Sequence, residues 1–216
     1  MVAAKAKQSL KKSGSYHHGN LKEALVRAAM ARIAKSRDFD FKLRDLAQDC
    51  GVSLAASYRH FDSKRALLIR IATEGFEELA RQQAAAAPAK LPPAEALSRI
   101  GEAYIRFAMS FPTHFLVMFH PSLSNRAEDP ALLAAAMSSG EKVGAAVERM
   151  LAEQGRKDSR EASRLSFRAW SAAHGYASLL VAHNPLPDRP IYRGVQDPDA
   201  IKAYVDAIVS GIFGER

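Results

Sequence analysis

Apolar residues recur at helical spacing along almost the whole of this 216-residue chain, and the strict alternation of a half-buried strand is never sustained. A chain patterned in this way can bury a core only by packing helix on helix, so the expected fold class is all-α, with about nine helices. Leu21, Ala24, Leu25, Ala28, Ala29 and Ile33 make one face of a first helix ending near Ser36, with Asn20 and Glu23 at capping-box spacing before it. Phe39 to Lys42 is a short link. Leu43, Leu46, Ala47 and Cys50 then give two amphipathic turns, closed by Gly51, which can take the left-handed conformation that ends a helix. Ser53 is the expected cap of a helix over about Leu54 to Phe61, and Asp62 and Ser63 are the expected caps of a fourth with Leu67, Leu68, Ile71, Ala72, Gly75, Phe76 and Leu79 on its face.

Beyond the connector marked by Pro88, Pro92 and Pro93, a fifth helix carries Leu97, Ile100, Tyr104, Phe107 and Phe111 and stops at Pro112. A short aromatic segment, His114 to Phe119, leads to two long helices over about Leu132 to Leu151 and Ser159 to His183. A proline-rich loop (Pro185, Pro187, Pro190, Pro198) precedes a last helix carrying Ile201, Val205, Val209 and Ile212. There is no internal repeat. No apolar run reaches the roughly 18–20 residues of a membrane span, and Met1 to Lys12 has lysines but no apolar core, so neither a membrane segment nor a secretory signal is expected. A single cysteine, Cys50, excludes an internal disulfide and fits a reducing, cytoplasmic setting; on an apolar face it reads as a small buried hydrophobe.

Charge narrows the partner. The formal net charge is +8, and residues 1–70 hold 15 Lys and Arg against 6 Asp and Glu, while residues 71–216 hold 16 against 17. The excess lies wholly in the first third. Discounting Lys5, Lys7, Lys11 and Lys12 of the leading tail still leaves +5 over residues 13–70. Localised positive charge points to a polyanion, nucleic acid or an acidic membrane face. Within that basic region, residues 43–61 read as two short helices joined at a glycine turn. This is the helix-turn-helix pattern, whose second helix fits a major groove about 12 Å wide. The sequence has no H-E-x-x-H, no G-x-S-x-G, no phosphate-binding glycine loop, no Cys/His zinc spacing and no Glu-x-x-His of helical di-metal sites. Adjacent histidines such as His17 and His18 diverge in direction, so no metal and no cofactor is expected.

The segment LRDLAQDCGVSLAASYRHFDSKRALLIRI, Leu43 to Ile71, resembles the DNA-binding signature of the TetR family of bacterial transcriptional regulators. YHHGNLKEAL, Tyr16 to Leu25, resembles the lead-in of one branch, and WSAAHGYASLL, Trp170 to Leu180, resembles that branch's C-terminal Trp-His-Gly motif. The resemblance implies a flexible basic tail over 1–15, a helix-turn-helix DNA-binding domain over 16–76, and a helical effector-binding and dimerisation domain over 77–216. It implies that Tyr58 and Lys64 face phosphates and His60 a phosphate or the rim, that Lys42 and Arg44 open the second helix against the DNA backbone with Arg44 in reach of a guanine edge, and that Ser53 begins the recognition helix. Ala55, Ala56 and Arg59 become its base-facing part, with Arg59 matched to guanine. The chain departs from the family pattern in three places. Arg37 and Asp38 stand where a glycine is usual, Lys42 stands where Ser or Thr commonly caps, with Asp40 as a substitute cap, and Ser57 stands where leucine is frequent.

Phe167, Trp170, His174, Ala177 and Val181 form one helical stripe. With Tyr104, Phe107, Phe111, Phe115, Met118 and Phe119, Trp170 and His174 make the candidate lining of an apolar effector pocket. For any one of these aromatics a place in a filled core is the commoner outcome, and His174 reads equally well as a satisfied core histidine. The small residues Ala169, Ala172, Ala173, Gly175, Ala177 and Ser178 would let that helix pair closely with its copy. The implied function is a repressor that binds a palindromic operator as a homodimer and is released by a small hydrophobic effector. The alternatives are an architectural DNA-binding protein and, more remotely, a helical-bundle enzyme.

Overall fold

A computed structural model describes residues 21–183 and 193–213, and among these there is no strand. The tail lysines, the His17–His18 pair, Asn20 and the prolines of 185–190 lie outside the described residues. The described residues form nine α-helices in order: α1 Leu21–Ser36, α2 Leu43–Asp49, α3 Leu54–Tyr58, α4 Lys64–Ala86, α5 Pro93–Ser110, α6 Pro112–Met118, α7 Pro130–Glu153, α8 Ser159–His183 and α9 Pro198–Phe213. Two short 3-10 turns, Pro121–Leu123 and Arg126–Glu128, connect α6 to α7.

Local chemistry sets most boundaries. Prolines open α5, α6, α7 and α9, at the positions where a missing N–H removes nothing from the helix. Pro112, read from sequence as the stop of the fifth helix, is also the first residue of the next. Ser53, Ser63 and Asp129 each accept a backbone N–H of the first turn of α3, α4 and α7. The α2 end is a complete Schellman motif: Gly51 has φ 66°, its N–H reaches Gln48 O at 3.0 Å, and Val52 N–H reaches Ala47 O at 2.9 Å. The α7 end repeats it, with Gly155 at φ 72° and Arg156 N–H to Leu151 O at 2.8 Å. At the α1 end, Arg37 occupies the left-handed region itself, at φ 58°. That conformation costs a residue with a Cβ on the order of 1–3 kcal/mol. The Arg37 guanidinium donates to Val181 O in the last turn of α8, so the strained residue also ties α1 to the far helix.

Helices α1, α2 and α3 pack on one another, and α6 is wedged against α1, α4, α5 and α8. Helices α4, α5, α7 and α8 form the main body, with α9 against α5 and α8. Buried apolar residues form one continuous cluster from Ala24 in α1 to Val209 in α9. The division expected between residues 76 and 77 falls inside α4, which runs unbroken across it. No helix is long and apolar enough to cross a membrane among the described residues.

Candidate DNA interface and effector cavity

The helix-turn-helix is held from behind. Leu43, Leu46 and Ala47 of α2 and its C-terminal cap Cys50 are buried with Ala56, Ser57 and Phe61. Ser57 is fully buried and donates its hydroxyl to Leu54 O at 2.7 Å, a self-contained bond that lets a serine stand where a leucine would add apolar area. Asp40 does not cap α2. The carboxylate of Asp45 accepts the N–H of Lys42 at 2.8 Å, and Asp40 instead gives its own N–H to Asp38. A bidentate ion pair, Arg32 Nε and Nη2 to Asp49 at 2.5 and 2.8 Å, fastens α1 to the end of α2.

Lys42, Arg44, Ser53, Ala55, Tyr58, Arg59 and His60 are all exposed, Tyr58 by 50%. Three expectations need correction. The recognition helix ends at Tyr58, so Arg59 and His60 stand at and beyond its C-terminal cap. Ala56 is turned into the core and cannot meet a base; Ala55 and Leu54, the latter 37% exposed, are the apolar residues at the surface. Lys64 is directed inward. Its ammonium donates to Phe39 O and lies 4.7 Å from the centroid of the Phe41 ring, so it closes the α1–α2 link.

The second feature is a cavity of about 300 Å³, partly open to solvent and lined by α4, α5, α7, α8 and the α6–α7 connector. Its wall includes Phe76, Gln83, Tyr104, Phe119, Arg126, Ser139, Phe167 and Trp170. Of the eight residues expected to line a pocket, Tyr104, Phe119 and Trp170 do so. Phe107, Phe115 and Met118 are buried in the core, and Phe111 stacks on Phe107 at 5.3 Å; these four do not line it. His174 also stands behind the wall. Its Nδ1 is 2.8 Å from the Tyr104 hydroxyl, its Nε2 is 3.3 Å from Ser178 Oγ, and Trp170 stacks on its ring at 5.1 Å. Burial and the charge of Arg126 hold His174 below its ordinary pKa, and burial raises that of Tyr104. The pair is therefore neutral near pH 7, with both ring nitrogens of His174 engaged by hydroxyl groups. The Trp-His-Gly motif thus positions Tyr104 and Trp170. Gly175 faces outward, where an added Cβ meets nothing within 4 Å.

Sequence reading missed Phe76, Gln83, Arg126, Ser139 and Phe167. The alternation of Phe76 with core residues of α4 gave no sign that it faced a void, and Arg126 sits in a segment with no helical period. Gln83, only 1% exposed on an amphipathic helix, was the one legible signal: a buried amide needs a partner, and Ser139 Oγ supplies it at 2.8 Å. Among the described residues no group of three or more His, Cys, Asp or Glu gathers as metal ligands would.

The connector between α6 and α7 joins the two features. Phe119 and Arg126 face the cavity, while His120 lies 4.0 Å, ring to ring, from Phe39 and Glu128 meets Arg65 of α4 at 2.9 Å.

Two family models match the chain. One, described as bacterial regulatory proteins of the tetR family, matches residues 25–71, and one described as the tetracyclin repressor-like C-terminal domain matches residues 97–200. A Rhodococcus sp. RHA1 structure, of a protein with unknown function, is 26% identical, covering 93% of this chain and 99% of that one at a TM-score of 0.70. The TetR family transcriptional regulator PfmR from Thermus thermophilus is 24% identical, covering 89% and 99% at a TM-score of 0.64. AibR, in complex with isovaleryl coenzyme A and operator DNA, is 17% identical, covering 91% and 100% at a TM-score of 0.63. No curated protein matches the sequence.

Proposed function

Because the chain belongs to the TetR family of transcriptional regulators, we propose that it is a ligand-responsive repressor, with DNA read by α2 and α3 and a small effector received in the cavity. The observation that carries this reading is the α6–α7 connector, one short segment with side chains in the cavity wall and against the base of the helix-turn-helix. The structure of AibR with both an acyl coenzyme A and operator DNA supports pairing the two ligands on one such fold.

At the DNA end, Arg44 and Arg59 are the exposed guanidiniums suited to base edges, and Lys42, Tyr58 and His60 are suited to phosphates. Ser53 caps α3, and Ala55 and Leu54 offer apolar contact to a thymine methyl. Residues 21–76 form the reading head. The outer side of α8 and α9 is the dimer face. Phe167 and Leu179 are 64% and 51% exposed there, and Gly175 and Gly211 leave open space for close approach. Ala173 and Ala177, grouped from sequence with that face, are buried against the protein's own core. Two-fold pairing would place the recognition helices about 34 Å apart, one turn of DNA. An effector that wedges Phe119 and Arg126 shifts the connector and with it that spacing. To switch occupancy from 1:99 to 99:1 it must favour the released state by about 10⁴ in affinity.

The test is footprinting on DNA upstream of the chain's own gene, paired with sedimentation of the free protein. A protected palindrome and a dimer are expected. Uniform coverage of DNA would instead favour the architectural reading. Arg59→Ala should lose sequence preference.

A further inference from the structure

The cavity holds a cation with no counter-charge. Among the described residues, Arg126 is the sole charged one in its wall. One of the five guanidinium donors goes to Met118 O at 3.1 Å, and Nε is buried with no hydrogen-bond partner. The neighbouring carboxylate, Glu128, turns away to Arg65 and Asn125. Two aromatic faces hold the guanidinium, Phe76 at 5.1 Å and Phe119 at 5.6 Å from their centroids. Three hydroxyls of the wall are bonded within the protein: Tyr104 to His174, Ser139 to Gln83, and Ser166 to Ala162 O. Arg126 is half-buried, and a partly desolvated positive charge in an otherwise neutral, mostly apolar wall favours a negative partner. A fork of N–H donors also matches a carboxylate in geometry.

We infer that the effector is a small organic monocarboxylate, its carboxylate on Arg126 and its apolar body among Phe76, Phe119 and Trp170. This rests on the cavity being the effector site. Size and charge select within the anions. A cavity of about 300 Å³ has the liquid volume of on the order of ten waters, so the body is short or singly aromatic. A phosphate monoester brings about two negative charges and would leave one unpaired against one arginine. Burial lowers the Arg126 pKa, which weighs toward the pairing, since an incoming carboxylate relieves the same desolvation.

The experiment titrates the full chain with phenylacetate and hexanoate, and with their uncharged amides, following emission of Trp170, the only tryptophan, and operator affinity. The acids should change both signals and bind at least 10-fold more tightly than the amides. Arg126→Met keeps the aliphatic bulk and should weaken the acids about 10–100-fold while leaving the amides unmoved. Arg126→Lys, which keeps the charge but not the fork, should fall between and guards against misfolding of the first variant. Amides binding as well as acids would overturn the carboxylate assignment and leave the effector site standing. Equal behaviour of wild type and Arg126→Met would do the same. Silence of all four probes in both signals would overturn the assignment and the effector site together.

Discussion

Lys64 separates two physical roles that sequence alone does not distinguish. A lysine opening the helix after the recognition helix can hold a phosphate; here its ammonium donates to Phe39 O and covers Phe41. Lys64→Met keeps the stem and removes the ammonium. A hydrogen bond to a charged group contributes about 1.5–3 kcal/mol, and a partly exposed cation–π contact about 0.5–1 kcal/mol. Lys64 is only half-buried, so solvent screening favours the lower ends, together about 2 kcal/mol. For a chain of this size that is roughly a 4–8 °C fall in Tm. Urea unfolding measures the loss, and anisotropy on an operator fragment at several salt concentrations measures the DNA contribution in parallel. His120 gives a third signal. Burial and then the Lys64 charge hold its pKa below the ordinary 6.5, so the variant should raise it in an NMR titration. Each lost phosphate contact would lower the salt slope by about 0.9. Stability changed by less than about 0.5 kcal/mol, with the slope reduced by about one, would refute the inward role and restore the phosphate.

Two further outcomes follow from burial and close packing. His114, His120 and His174 all have folded pKa values lowered chiefly by desolvation, so the unfolded chain takes up protons first. Stability should be full above about pH 6.5 and fall as pH drops below it, each histidine contributing at most about 1.4 kcal/mol per pH unit, and His174→Gln should flatten the slope in denaturation measured from pH 7.5 to 5. Gly101→Ala puts a Cβ 2.9 Å from Val205 Cγ1, whose β-branched side chain yields little; overpacking of about 1–3 kcal/mol against a helix gain of about 1 kcal/mol predicts net destabilisation that Val205→Ala relieves, whereas Gly144→Ala, with nothing within 4 Å, should only stabilise.

The sequence by itself determined the all-helical class, the glycine turn at Gly51, the serine caps at Ser53 and Ser63, and the helix-turn-helix in a basic setting. These are local: a cap, a left-handed glycine or a 3.6-residue period is decided within a few residues of the chain. It also placed Tyr104, Phe119 and Trp170 near a pocket, since large aromatics on facing helices must meet somewhere. Only the tertiary structure decided which of them border space and which fill it, because Phe107 and Phe119 carry the same side chain and differ in what lies opposite. The same holds for charge. Lys64, which the family resemblance turns toward a phosphate, is spent on a backbone carbonyl 25 residues away. Arg126 is left unpaired against the cavity by a connector without periodicity. A side chain's direction and partners depend on contacts between segments far apart in sequence, and those exist only once the helices have packed.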